Sequence, residues 1–279
     1  MIRREKPDIK PLPSIVQRPM IIPLTLGATA VLITLVYASV RDIRERRVPF
    51  RTWYPMLAVG VPLVGLFYVT LLLSGMWNLV LVYLVLVAVF SVLFYSFAYL
   101  RLFGGADAYA LIFLSVLVPA FPFEPAFGIP PLDFFPFSVL VNALILNLVT
   151  PLGIFVYNVV KGNFGPLSNM FLGFPVDGKN IANSFGYVME DIREEDGQIT
   201  RRFFSFTEAV KGMMKGNGRV YTLDLRRKPE EYRDELSLYS RAGRVWISYG
   251  VPFIVPLTAG MVVALLVGDI LVILLQLLM

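Results

Sequence analysis

Between Arg51 and Arg101 the chain carries no charged side chain. A helix needs about 20 apolar residues to cross roughly 30 Å of hydrocarbon, and only helices and closed barrels satisfy their backbone polar groups there. This one stretch holds two such runs, Tyr54 to Leu73 and Leu79 to Leu100, with Ser74 to Asn78 between them. Four more segments qualify or nearly do: Ile21 to Val40, Ala106 to Ala120, Ser138 to Val160, and a last one from about Tyr249 to Val267 or beyond. The expected fold is an α-helical integral membrane protein with six transmembrane helices. Long and followed by arginines rather than by a small-residue cleavage site, the first run is expected to stay as a span.

Charge is concentrated elsewhere. Hydrophobic residues make up 57% of the 279, charged residues only 16%, yet Gly162 to Arg244 is as charged as an ordinary water-facing domain. Residues 161–245 are therefore expected to form a small α+β domain between the fifth and sixth spans, with 1–20 a basic, Pro-rich tail, 21–160 the first five spans and 246–279 the sixth. Tyr187 to Ile192 and Gln198 to Phe204 flank Asp196-Gly197, a hairpin signal. Thr207 is expected to cap a helix ending near Gly216 to Gly218. Arg219 to Leu225 reads as a strand and Pro229 to Tyr239 as a helix. The prolines of the tail make a regular helix there unexpected.

Lys and Arg accumulate on the cytoplasmic side of membrane proteins. With six alternating spans, residues 41–53, 101–105 and 161–245 share one side and hold 20 of the 25 basic residues. That side is expected to be cytoplasmic. The remaining five, Arg3, Arg4, Lys6, Lys10 and Arg18, lie in the tail and go against this arrangement.

The chain has neither Cys nor His. Thiol nucleophiles, imidazole bases, Ser-His pairs, disulfides and Cys/His metal sites are excluded together. Carboxylates, Lys and Tyr remain, and carboxylates at the edge of a membrane are rare enough to be read as functional. Two stand out. Asp42 follows the first span, in Asp42-Ile43-Arg44-Glu45-Arg46-Arg47-Val48-Pro49. Asp107 opens the fourth, in Gly104-Gly105-Ala106-Asp107. The two spans run in opposite directions, so both carboxylates come to the same membrane face. Paired carboxylates share a proton, which suits one to activate water and the other to act as acid. Taken alone, Asp42 among five arginines reads as a surface ion-pair partner, and Asp107 as a helix cap; a proton- or cation-coupled transporter also uses paired intramembrane acids. Arg41, Arg44 and Arg46 are expected to face headgroups or water.

Asp-x-x-x-x-x-Val-Pro after the first helix and Gly-Gly-Ala-Asp at the fourth resemble the archaeal branch of the type IV prepilin peptidases, which includes the preflagellin peptidases. The resemblance extends to the domain before the last helix and to the opening Val251-Pro252-Phe253-Ile254-Val255-Pro256 of that helix. It implies a six-span aspartyl protease of the GxGD class, with Asp42 and Asp107 as its catalytic pair and Gly104, Gly105 and Ala106 supporting the second. Ala106 stands where the motif has glycine. It also implies the substrates: precursors of pilins or archaellins, whose short basic leader is cut at the cytoplasmic face of the cell membrane. Bacterial relatives carry a Cys-rich region and methylate the new N-terminus; this chain, with no Cys, is expected to act as a peptidase only. No cofactor, metal or nucleic acid is expected.

Other polar features invite weaker readings. Glu190, Asp191, Glu194, Glu195 and Asp196 form an acidic cluster that would attract a basic leader, or else a solvated hairpin turn. Asn142, Asn147 and Asn158 in the fifth span are expected to bond neighbouring helices, with Asn158 near enough to the cytoplasmic end to support the aspartates.

Overall fold

The computed structural model describes residues 14–100, 103–195, 197–205, 207–208, 220–250 and 252–278. The helical part comprises α1 (Ser14–Glu45), α2 (Tyr54–Leu73), α3 (Trp77–Tyr99), α4 (Gly105–Leu117), α5 (Phe135–Asn147), α6 (Val149–Val160), then α10 (Ile254–Leu266) and α11 (Ile270–Leu278). Between them lie α7 (Leu167–Leu172), β1 (Gly173–Asp177), β2 (Glu190–Glu195), β3 (Gln198–Phe203), α8 (Thr222–Arg227), α9 (Arg233–Ala242) and β4 (Arg244–Ser248).

The membrane character follows from what each helix turns outward. On α1, Leu24, Ala28, Val31, Leu35 and Ala38 recur every three or four residues and are buried, while Ile22, Leu26, Ile33 and Val36 point out. The same holds on α3, where Val80, Tyr83, Phe90 and Phe94 face in and Leu81, Val85, Val89 and Val92 face out. An outer surface as apolar as the core cannot be covered by water. On α1 the Thr29 and Thr34 hydroxyls donate to the carbonyls one turn back, at 2.8 and 2.9 Å, which removes their desolvation cost, whereas the Thr25 hydroxyl is buried without a partner.

Four segments are long and apolar enough to span a membrane: 21–45, 50–73, 77–99 and 135–160. α10 and α11 make a fifth if counted as one span, bent by 59° between them. α4 has only 13 residues. The described residues thus carry four to five spans by length, not six.

α5 and α10 pack most closely, because Gly260 lets the backbones meet: a Cβ there would sit 2.7 Å from both Ala143 N and Val139 O. Small residues at such contacts replace the hydrophobic drive that lipid does not supply. α1 packs on α2, α4 and α10, and α3 on α4. The break between α10 and α11 is closed by polar groups of α5. Asn142 donates to Gly268 O at 2.8 Å and accepts from Ile270 N–H at 2.9 Å. Asp269 caps α11 through the Leu271 and Val272 N–H groups and accepts from the Ser138 hydroxyl at 2.9 Å. Asn142 thus bonds neighbouring helices as expected, whereas the Asn147 side-chain oxygen is buried without a partner.

The intervening domain has two antiparallel pairs, β1 with β4 and β2 with β3, around Ile181, Val188, Ile192, Leu225, Tyr239, Val245 and Ile247. The hairpin forms where the sequence places it, although Tyr187 and Val188 leave it and bridge instead to Tyr221 and Ile247; Asp196 lies outside the described residues. Other expectations need correction. The stretch read as a strand is helical from Thr222 as α8. Its Thr222 hydroxyl, inside the domain, donates to Ser184 O and accepts from Gly186 N–H, bonds that a strand's outward face would not need. The helix expected at Pro229 to Tyr239 begins later, at Arg233. Trp246 to Ser248, assigned to the last span, belong to β4, because an apolar run that enters a domain core resembles one that enters lipid. α1 begins at Ser14, so the tail is helical from there despite Pro19 and Pro23, each of which lacks the N–H that the helix interior would use. Of the helix expected after Thr207, only 207–208 lie within the described residues.

Candidate active site

Asp42 stands in the last turn of α1, and its backbone carbonyl accepts the Arg46 N–H at 3.0 Å. Arg46 then stops the helix in a left-handed conformation, φ 51°, the only non-glycine among the described residues to do so. Asp107 is the third residue of α4, behind Gly104 as N-cap. α1 and α4 pack together, and the two carboxyls come within range of direct charge–charge interaction. Neither accepts a hydrogen bond from a described residue.

Gly104 adopts no conformation reserved for glycine. Its φ of −64° and ψ of 136° are open to any residue, so backbone flexibility is not what requires glycine. Space is: a Cβ at 104 would lie 2.4 Å from Asp107 Oδ2. The carboxyl folds back over residue 104 and occupies the place of a side chain. Gly105 has nothing within 4 Å of a Cβ. Ala106 packs against the helical core, where alanine holds a helix better than the glycine of the motif.

Arg46 was expected to face water and does not. Its guanidinium donates to the Gly250 carbonyl and lies 5.5 Å from the Phe185 ring centre and 5.7 Å from that of Tyr249. Its Nε is buried without a partner, and its charge reaches Asp42. One planar cation therefore ties the last turn of α1 to the strand-containing domain and to the entry of α10. A flat guanidinium can stack and donate at once, which a lysine cannot.

Most of the acidic hairpin is already committed. Glu190 is buried and accepts the Trp246 N–H at 3.1 Å; burial pushes its pKa up, opposed by that bond and by Arg201. Asp191 pairs with Arg193, and Glu194 takes both ends of the Arg241 fork at 2.8 Å. Among the described residues Glu195 has no hydrogen bond or ion pair, though its charge reaches Arg193. Asn158 does not serve the aspartates: it is buried, donates to Met170 O and Gly173 O at 2.9 and 2.7 Å, and accepts from Asn163. It knots α6 to the domain.

The space of about 250 Å³ lined by Tyr95, Tyr99, Gly105, Ala108 and Tyr109 lies on the stripe of α4 roughly 150° round from Asp107, at 100° per residue. Among the described residues no three acidic side chains converge as metal ligands would. The arrangement offers two unpartnered carboxyls at one end of the bundle.

Residues 29–156 match the family model described as the type IV leader peptidase family. Residues 165–270 match that described as Archaeal Peptidase A24 C-terminus Type II. The preflagellin peptidase of Methanococcus voltae is 24% identical over 254 residues, covering 85% of this chain and 93% of that protein. The preflagellin peptidase of Methanocaldococcus jannaschii is 23% identical over 248 residues, covering 85% and 92%. The two family matches run end to end along the helical part and the strand-containing domain that hold the aspartates and Arg46, and the chain belongs to the type IV leader peptidase family of proteases.

Proposed function

We propose that this protease is of the aspartic type, that Asp42 and Asp107 are its catalytic pair, and that it removes the short leader from preflagellin or prepilin precursors. The observation that carries the reading is a pair of carboxyls on two helices that pack together, each at the end of its helix and neither bonded by a donor among the described residues. One ionised carboxylate takes a proton from water as the water oxygen attacks the scissile carbonyl carbon. The other, protonated, gives its proton to the carbonyl oxygen. As the C–N bond breaks, the departing nitrogen takes the proton first removed from water, and a diol O–H returns a proton to the second carboxyl. Both groups end as they began. Gly104 leaves the room that Asp107 needs, and Arg46 holds Asp42 against the domain.

Counting α4 and the bent α10–α11 pair as spans gives six. Charge placement then puts the aspartates, and the domain of residues 161–245, at the cytoplasmic face, with the lipid bilayer as the enzyme's other partner. Among the hairpin acids in the described residues, Glu195 is the one left to meet a basic leader. With no Cys-rich region, the new N-terminus is left unmethylated.

Incubating the purified protein with a preflagellin and sequencing the product tests this. Cleavage after the basic leader by the wild type, none by Asp42→Asn or Asp107→Asn, and an unmodified new N-terminus are expected. Normal processing by either variant overturns the dyad, and a methylated product overturns the restriction to peptidase activity.

A further inference from the structure

A cavity of about 580 Å³ opens between α1, near the end of its apolar run, and the turn leading into α2. Ile33, Tyr37 and Pro55 form an apolar wall, and Arg41 and Arg51 stand at the rim with Thr52 between the helices. On α1 the lining residues 33, 37 and 41 fall on one stripe, roughly 140° round from Asp42. The cavity is therefore separate from the catalytic pair.

Three features mark it as a place for a ligand rather than a packing gap. Thr52 is only 9% exposed and its hydroxyl, like that of Thr25 elsewhere on the bundle, has no partner; an unpaired buried hydroxyl costs about 1–3 kcal/mol unless something bonds it, and Thr52 is the one of the two that lines this cavity. Arg51 forms no ion pair or hydrogen bond among the described residues. Arg41 gives one amine to Glu45, the only carboxylate among the described residues that touches either arginine, and its guanidinium also reaches the Tyr37 hydroxyl. Two guanidiniums, an idle hydroxyl and an apolar wall at the edge of the hydrocarbon fit a phosphodiester with chains attached.

We propose that this cavity binds the headgroup of an anionic phospholipid, its phosphate between Arg41 and Arg51 with the Thr52 hydroxyl donating to it and the first carbons of its chains along Ile33 and Tyr37. The bound lipid clamps the end of α1 to the start of α2 and so steadies the helix that carries Asp42.

The full-length protein, delipidated in a neutral detergent, is titrated with phosphatidylglycerol, phosphatidylcholine or inorganic phosphate and followed by native mass spectrometry and thermal melting. Phosphatidylglycerol is expected to stay bound and raise Tm; phosphatidylcholine is not. Arg41→Gln and Arg51→Gln each weaken binding about fivefold, and Arg51→Lys less, while Arg44→Gln, outside the cavity, leaves it unchanged. Circular dichroism and gel filtration establish that each variant is folded, and Arg51→Lys keeps the comparison open if a glutamine variant is not. Equal protection by phosphatidylcholine overturns the charge requirement. Equal protection by inorganic phosphate makes the site one for a free anion and overturns the lipid assignment. An Arg44→Gln loss as large as that of Arg51→Gln reduces the effect to diffuse surface charge and overturns the site.

Discussion

Two pairs of aspartates lie at opposite ends of the helical bundle, and their surroundings are opposite too. At the end away from the strand-containing domain, Asp133 accepts from the Tyr83 hydroxyl at 2.9 Å and the Phe121 N–H at 3.2 Å, and Asp269 accepts from Ser138 and two backbone N–H groups. Every oxygen of that pair has a donor. At the other end neither Asp42 nor Asp107 accepts a hydrogen bond from a described residue, and the charge of Asp42 reaches Asp107. A carboxylate whose bonds are all made inside the protein cannot exchange protons with a substrate without breaking them; one left unpaired is costly to the fold and available to chemistry. That difference alone separates the two structural acids from the pair proposed to be catalytic, since all four are aspartates in or beside apolar helices.

The largest expected effect breaks this comparison outright. Asp42→Asn or Asp107→Asn is expected to lower the rate of precursor cleavage on the order of a thousandfold or more, with insertion and melting temperature unchanged. Asp133→Asn and Asp269→Asn are expected to cleave normally. Single-turnover assays on the four variants measure it, and a slow Asp269→Asn alongside a fast Asp42→Asn would reverse the assignment of the pairs.

Next in size is a change beside an aspartate. The methyl of Gly104→Ala collides with Asp107 Oδ2, and displacing a reacting group by about 1 Å can cost a hundredfold in rate. A fall in kcat of about tenfold to a hundredfold with little change in KM is expected. Gly105→Ala, with open space at its Cβ, is the control and should be near wild type. Equal losses in the two would mean that backbone freedom, not space, is what the motif supplies.

Arg46→Gln is expected to lower kcat about tenfold, with Arg46→Lys between it and the wild type. Without stacking on Phe185 and Tyr249, the end of α1 and the domain should separate. The chain has no native cysteine, so a spin-label pair on engineered cysteines, one on α1 and one on β4, would report a broader distance distribution. An unchanged distribution together with lost activity would leave Arg46 acting through charge alone.

How much of this was legible in the sequence depends on how local its cause is. Asp42 and Asp107 could be read because each borders a long uncharged run, and helix direction alone carries both to one face. Arg46 could not, because its partners Phe185, Tyr249 and Gly250 come from a fold of the chain more than a hundred residues away, and one arginine among five looks like the others. Asn158 bonds a neighbouring helix as expected, through Met170, but the supporting role offered for it beside the aspartates fails, because its partners Met170 and Gly173 take it up once α6 meets the domain. β4 was lost inside an apolar run, and β1 contains Pro175, which does not read as a strand interior. The hairpin was found because its turn signal is adjacent to what it connects.

The smallest expected effect carries the same comparison to the strand-containing domain. Glu194 and Glu195 are neighbours on β2, one held by both arms of Arg241 and the other without a hydrogen bond or ion pair among the described residues. A fully solvated pair such as Glu194–Arg241 adds little to stability, so Glu194→Gln should barely shift the melting temperature and leave cleavage unchanged. Glu195→Gln should not alter stability. If the free carboxylate meets the basic leader, its loss should raise KM about two- to threefold at low salt, with kcat constant, and the effect should fade as salt screens the contact. A KM rise in Glu194→Gln but not in Glu195→Gln would show that the Arg241 pair opens to receive substrate, and the rule drawn from the bundle would then fail at the surface. No KM change in either would place the leader's partner elsewhere while leaving the dyad untouched.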